Sequence, residues 1–247
     1  MSEEMGKFTI TVMSPILATT AYNITQVIEN RRQAGYTKFD LIISSNGGST
    51  YHALAAHQFI SKIGVEVNTY AYATVASAAV LLYCLGKKRY ASPMTRFQLH
   101  PSYTTTHNSN FEAPVLQEYV ESLEENNTNA IQIISAATGQ PAEKVADAVY
   151  QRKLLRVEQA QEYGLVHEIT DEAFIPTGRH ACFLGEFDPV LPIPVASFPF
   201  MTDSTVIPNV HSSGLQFMRG YSFTEIPPQL RPTMRPLTLH PDLPHWS

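Results

Sequence analysis

The chain has 247 residues, of which 44% are hydrophobic and 16% charged. That is apolar enough for a sizeable core, and it excludes a charge-rich disordered chain. The formal net charge of −5 excludes a global basic field that would draw it to nucleic acid or anionic lipid. Its two cysteines, Cys84 and Cys182, make neither a disulfide framework nor a metal cluster, and Cys84 in an apolar run reads as a buried reduced thiol. The polar start Met1-Ser-Glu-Glu-Met-Gly-Lys lacks the apolar core of a signal peptide, and Val75–Leu85 is too short to span a bilayer. A cytoplasmic protein with no membrane or nucleic-acid partner is the expectation.

Phe8–Val12 alternates as a strand, and Ala21–Ala34 carries apolar residues at helical spacing. Phe39–Ile43 is a short apolar run that meets a glycine turn at Ser44-Ser-Asn-Gly-Gly-Ser49, so a buried strand is expected. Ala53–Ile63 comes next as an amphipathic helix, then Glu66–Tyr72 as a strand and Ala76–Leu85 as a buried helix. Arg89–Ala91 and Thr95–Leu99 read as strands. Leu116–Thr138 is a long helix stopped by Gly139, and Pro141–Tyr150 a second helix with proline at its start. A short helix over Ala160–Tyr163 and a strand over Leu165–Ile169 complete this part. Repeated β-to-α connections imply an α/β fold with parallel strands. Twelve of the 17 prolines lie at or after Pro176. The organisation expected is a folded domain over 1–170 and a Pro-rich tail over 171–247, extended or partly disordered. The tail keeps Phe198, Phe200, Phe217 and Trp246, which favours docking on a surface.

Three features bear on chemistry. In Tyr72-Ala-Thr-Val-Ala-Ser77-Ala-Ala-Val a strand ends and a serine stands among small residues at the entry to an apolar helix. Backbone N–H groups unpaired at a helix start stabilise charge developing on a substrate oxygen. The same placement also suits an ordinary N-cap serine. Asn46-Gly47-Gly48-Ser49 permits positive φ and close backbone approach, as an oxyanion hole or a plain turn would require. No Walker-type lysine and serine stand after it. His100 ends the run Phe97-Gln-Leu-His100 before Pro101, where a ring is presented to neighbouring loops as a general base or a structural histidine. His52, His57, His107 and His167 form no metal-ligand pattern, and no metal or other cofactor is expected.

These segments together resemble the Clp protease proteolytic-subunit family. Ile42-Ile-Ser-Ser-Asn-Gly-Gly-Ser49 resembles its strand-to-Gly-Gly segment, Ala76-Ser77-Ala78-Ala79 its nucleophile motif, and Ala91–His100 its histidine segment. Thr138-Gly139-Gln140 and Glu162-Tyr-Gly-Leu-Val166 resemble its later helix junction and closing strand. The resemblance runs over about residues 8–170 in order. It implies a ClpP/crotonase-like spiral of ββα units with a long protruding helix. It implies Ser77 as nucleophile and His100 as base of a serine endopeptidase. Gly48 and Ala78 would then be backbone oxyanion donors. It further implies a peptide or unfolded-protein substrate, a homo-oligomeric or mixed ring, and an AAA+ unfoldase as partner.

The chain departs from that pattern in four places. The position of the triad acid, aligned back from Glu162-Tyr-Gly-Leu-Val166, is Arg152. The third triad member is therefore unassigned, with Asp147, five residues earlier, as its candidate. Ala78 replaces the usual methionine after the nucleophile. Pro101-Ser-Tyr-Thr-Thr-Thr-His-Asn108 replaces a glycine-rich segment, and the N-terminal segment is short. These departures leave two alternatives. One is a catalytically silent ring scaffold. The other is a crotonase-type acyl-CoA enzyme, which shares the fold and the backbone oxyanion logic but needs no Ser-His pair.

Overall fold

The structure, a computed structural model, describes residues 7–104, 111–170, 180–184 and 205–206. Strand β1 (Phe8–Met13) leads to helix α1 (Ala18–Gln33), β2 (Lys38–Ser45), α2 (Thr50–Lys62) and β3 (Glu66–Ala76). Then come α3 (Ala78–Tyr83), β4 (Arg89–Ala91), β5 (Arg96–Gln98), α4 (Ala113–Thr138) and α5 (Ala142–Tyr150). β6 (Leu154–Arg156), α6 (Val157–Glu162), β7 (Glu168–Ile169), β8 (His180–Leu184) and β9 (Thr205–Val206) complete the described elements.

The strands form one sheet in the order β6-β5-β3-β2-β1-β8-β9, with β4 branching from β3 and pairing in turn with β7. The pairings are parallel except β5 with β6, which is antiparallel. Both faces of β1 and β2 are covered: Phe8, Ile10, Val12, Phe39, Leu41 and Ile43 are buried at one set of alternate positions, and Thr9, Thr11, Asp40 and Ile42 at the other. Helix α3 is buried at all six positions, which explains its unbroken apolar sequence.

β3 is the element that positions the site. Its first half pairs with β4 through Thr69–Ala71, and its second half pairs with β5 through Thr74–Ala76. The switch falls at Ala73, which has φ 52, opposite an irregularity where Ile43 and Ser45 of β2 meet Ala71 and Val75. Such a bulge bends a strand and redirects the residues beyond it. The strand thus outlasts its expected end at Tyr72 and carries its last residues to β5.

The observed boundaries differ from the expected ones where tertiary pairing decides. α3 starts at Ala78 rather than Ala76, because Val75 and Ala76 are still paired with β5. Of the expected strand Leu165–Ile169 only Glu168–Ile169 pairs, and Leu165 and Val166 are buried in the turn after α6. β6 is an addition to the expected elements. Within the stretch read as tail, β8 runs parallel to β1 with Thr9 opposite His180 and Met13 opposite Leu184, and β9 pairs with β8. The rest of that stretch, with Phe198, Phe200, Phe217 and Trp246, lies outside the described residues, as does His107.

Candidate active site

The parallel register of β3 and β5 brings the nucleophile and base candidates to one end of the sheet. Ala76 is opposite Gln98, and the Ser77 N–H donates to the Gln98 carbonyl at 2.9 Å. One further step along each strand reaches Ser77 and then Leu99 and His100. Ser77 sits at φ 54, ψ −129, a conformation that costs a non-glycine residue about 1–3 kcal/mol. The surroundings that hold it are the bond to Gln98, a bond from the Val80 N–H to its carbonyl at 3.0 Å, and the buried α3 behind it. The Ser77 hydroxyl caps nothing in α3, so the serine is not spent on helix capping. It lines instead a cavity of about 20 Å³ shared with Ala78 and His100, with room for roughly one water.

The glycine pair packs directly on this turn. Gly47 has φ 96, and a Cβ there would lie 2.6 Å from Ser77 Cβ, 2.7 Å from the Ala76 carbonyl and 3.1 Å from the Ala78 nitrogen. Gly48 has φ 151, and a Cβ there would lie 2.5 Å from the Ile16 carbonyl. Both positions therefore exclude a side chain on grounds of conformation and of space. The loop is pinned by Ser45, whose Oγ donates to the Ser14 carbonyl at 2.7 Å and accepts from the Gly47 N–H at 3.1 Å. It is also bridged to Ile16, which donates to the Gly47 carbonyl and accepts from the Ser49 N–H, both at 2.8 Å. The Ala78 N–H opens α3 and lies beside this loop, at a helix position with no intrahelical acceptor.

His100 stands just beyond β5, half-buried, with its Nδ1 2.9 Å from the Pro101 carbonyl and its ring centroid 6.1 Å from that of Tyr103. Thr50, Ser102 and Asn127 also line the cavity, and none of them stands out in the sequence. A signal for Asn127 is nonetheless present: it stands three and seven residues before Ala130 and Ile134, on the helical face that turns inward.

The acid side is different. β5 and β6 pair with Gln98 opposite Leu154, and the Leu99 N–H continues the ladder to the Lys153 carbonyl at 2.9 Å. Carried one step further, this register would put Arg152 opposite His100. Arg152 is exposed and takes φ 52. Asp147 lies on α5 and is not among the residues lining the cavity. Among the described residues, that lining holds no carboxylate.

A second, open groove of about 770 Å³ runs between α2, β3 and α4, lined among others by His57, Cys84, Lys87 and Gln132. Burial pushes the Cys84 thiol up to about 12, far from the thiolate a cysteine nucleophile requires. Burial pushes His57 below the usual histidine range. Among the described residues no cluster suited to a metal ion occurs, and no helix is long and apolar enough to cross a membrane.

The Clp protease family profile matches residues 2–173. The chain is 32% identical over 141 residues to the chloroplastic ATP-dependent Clp protease proteolytic subunit 6 of Arabidopsis thaliana, covering 56% of this chain and 51% of that protein. It is 30% identical over 135 residues to the ATP-dependent Clp protease proteolytic subunit 1 of Chlamydia felis, covering 54% of this chain and 65% of that one. The chain thus spans between half and two thirds of the length of these relatives. A ClpP1 mutant from Listeria monocytogenes shares the fold, with a TM-score of 0.60 at 22% identity over 66% of this chain and 91% of that one. With the family profile matching well over half of its residues, the chain belongs to the Clp protease family.

Proposed function

We propose that the chain is a serine endopeptidase that cleaves peptides through an acyl-enzyme on Ser77. The observation that carries this reading is the Ser77 turn: a strained serine whose hydroxyl is not used as a helix cap and opens into the cavity that holds His100. In the proposed reaction His100 takes the Ser77 proton as Oγ attacks the peptide carbonyl. The Gly48 and Ala78 N–H groups hold the oxyanion of the tetrahedral intermediate. His100 then delivers the proton to the leaving amine, and water attacks the acyl-enzyme by the same route. The narrow cavity and the small Ala78 set the nucleophile close to passing backbone.

The chain is further proposed to work as a homo-oligomeric or mixed ring, with an AAA+ unfoldase feeding it. Leu116, Tyr119 and Val120 are exposed along the first half of α4, an apolar stripe that a neighbouring subunit would cover. One specific observation favours the silent scaffold as a second reading: among the described residues, the lining of the cavity that holds Ser77 and His100 has no carboxylate.

A fluorophosphonate probe on the purified chain, with light scattering on the same sample, tests these readings. Labelling that is lost in Ser77→Ala, on an oligomeric species, is the expected result. Wild type that stays unlabelled supports the scaffold, and a monomer at micromolar concentration contradicts the ring.

A further inference from the structure

The amide joining Pro101 to Ser102 stands between His100 and helix α4, and both of its ends are used. Its carbonyl lies 2.9 Å from His100 Nδ1. Its N–H donates to Asn127 Oδ1 at 2.7 Å. A carbonyl oxygen only accepts, so the proton resides on Nδ1 and Nε2 remains the basic nitrogen. The backbone amide only donates, so the Asn127 atom facing it is the oxygen.

Asn127 is 6% exposed and sits on the inward face of α4, a costly place for an amide without such a bond. Ser102 itself is held from its other side, where its Oγ donates to Thr50 Oγ1 of α2 at 3.0 Å. A peptide group bonded at both ends is polarised by each bond, so an acceptor on its N–H strengthens its carbonyl as an acceptor. The chain of contacts runs from the Asn127 carbonyl through one peptide to the imidazole.

We propose that Asn127 is a positioning residue for His100: acting through the Pro101–Ser102 peptide, it fills the orienting role that a triad carboxylate otherwise fills. This rests on the serine-peptidase reading of Ser77 and His100. It accounts for a base that keeps its tautomer although Arg152 occupies the acid's position. A dipole replaces a charge, so the imidazolium formed in the transition state is stabilised less than a carboxylate would stabilise it. Among the described residues the cavity lining holds no Asp, Glu, Lys or Arg beside His100. From outside the lining, the Tyr103 ring lies beside His100, and exposed Arg152 stands across from it on the β6 side.

The test compares wild type with Asn127→Leu, which fills the space without an acceptor, and Asn127→Asp, which keeps one. Rates of fluorophosphonate labelling at Ser77 are measured across pH. Asn127→Leu is expected to label about tenfold more slowly and with its pH midpoint moved down, and Asn127→Asp to recover the wild-type rate. A leucine variant with the wild-type rate and midpoint overturns the proposal, as does an aspartate variant no faster than leucine. Wild type that is unlabelled at Ser77 instead overturns the peptidase reading. The ¹⁵N spectrum of the His100 imidazole in unmodified protein needs no variant. It should show the proton on Nδ1 in the neutral ring, and a proton on Nε2 overturns the proposal whatever the labelling shows.

Discussion

The two walls of the cavity are built in different ways. The Ser77 wall is made by backbone: Gly47 fits so closely against Ser77 and Ala78, and Gly48 against Ile16, that a single Cβ on either glycine would overlap its neighbours. The His100 wall is made by side chains and one peptide: His100 leans on Pro101, and the peptide after it leans on Asn127, while Arg152, just before β6, is exposed. A backbone wall excludes a side chain at its glycines, yet a residue that offers it only a backbone N–H, as Ala78 does, can change its side chain. Side-chain walls admit replacement of one orienting group by another with the same bonding role. Of the departures from the family pattern, Arg152 and the described start of the 101–108 segment fall on the second wall, and Ala78 in place of methionine falls on the first.

The sharpest way to break this contrast is at Gly47. Gly47→Val forces a side chain into φ 96 and against Ser77 Cβ. It should cost at least about 2 kcal/mol of stability and abolish Ser77 labelling in whatever protein remains folded. Urea unfolding and labelling measure both. A variant with wild-type stability and labelling would show that the loop does not support the serine turn.

A milder change probes the other wall. Arg152→Asp puts a carboxylate across from His100, at a φ that aspartate and asparagine tolerate well. Labelling should accelerate on the order of tenfold over wild type, while Arg152→Asn, with the same backbone tolerance and no charge, should not accelerate it. Equal rates for the two variants would place position 152 out of reach of the imidazole.

The smallest effect concerns the scaffold that both walls share. Burial lowers His57 in the folded protein, so below its ordinary value near 6.5 the unfolded chain binds the extra proton more readily. The stability this residue leaves intact at neutral pH is therefore lost as pH falls through that value. His167 is lowered by desolvation and by Arg89, whose guanidinium lies 2.8 Å from its Nε2. Its effect has the same sign and is weakened by exposure. Thermal melts at about pH 5 and about pH 7.5 should show the lower Tm in acid, with a smaller gap in His57→Gln. An unchanged gap in that variant would remove His57 from the account.

The legibility of the sequence divides along the same line. The glycine pair, Ser77 and His100 announce themselves because each needs a particular residue type at a strand end. The strands and helices from Phe8 to Tyr150 obey hydrophobic period, with boundaries moved by a few residues where pairing continues, as at the end of β3. β6 is hidden because Leu154–Arg156 shows one buried side chain between two exposed ones, too short for a period to register. β8 is hidden among prolines and joins the sheet only because β1 offers an open edge. Asn127 is hidden because a polar residue in the polar run Glu124–Asn129 reads as solvated. Its spacing to Ala130 and Ile134 is the one sequence signal, and the packing of α4 over the cavity shows that its side chain turns inward.

In the proposed chemistry Ser77 is the nucleophile and His100 its base. Site-mapped fluorophosphonate labelling by peptide mass analysis tests it most directly, in wild type, Ser77→Ala and His100→Ala. An adduct is expected on the peptide containing Ser77 in wild type, with none in Ser77→Ala and a strongly reduced yield in His100→Ala. An adduct on any other residue, or full labelling of Ser77 in His100→Ala, would contradict it.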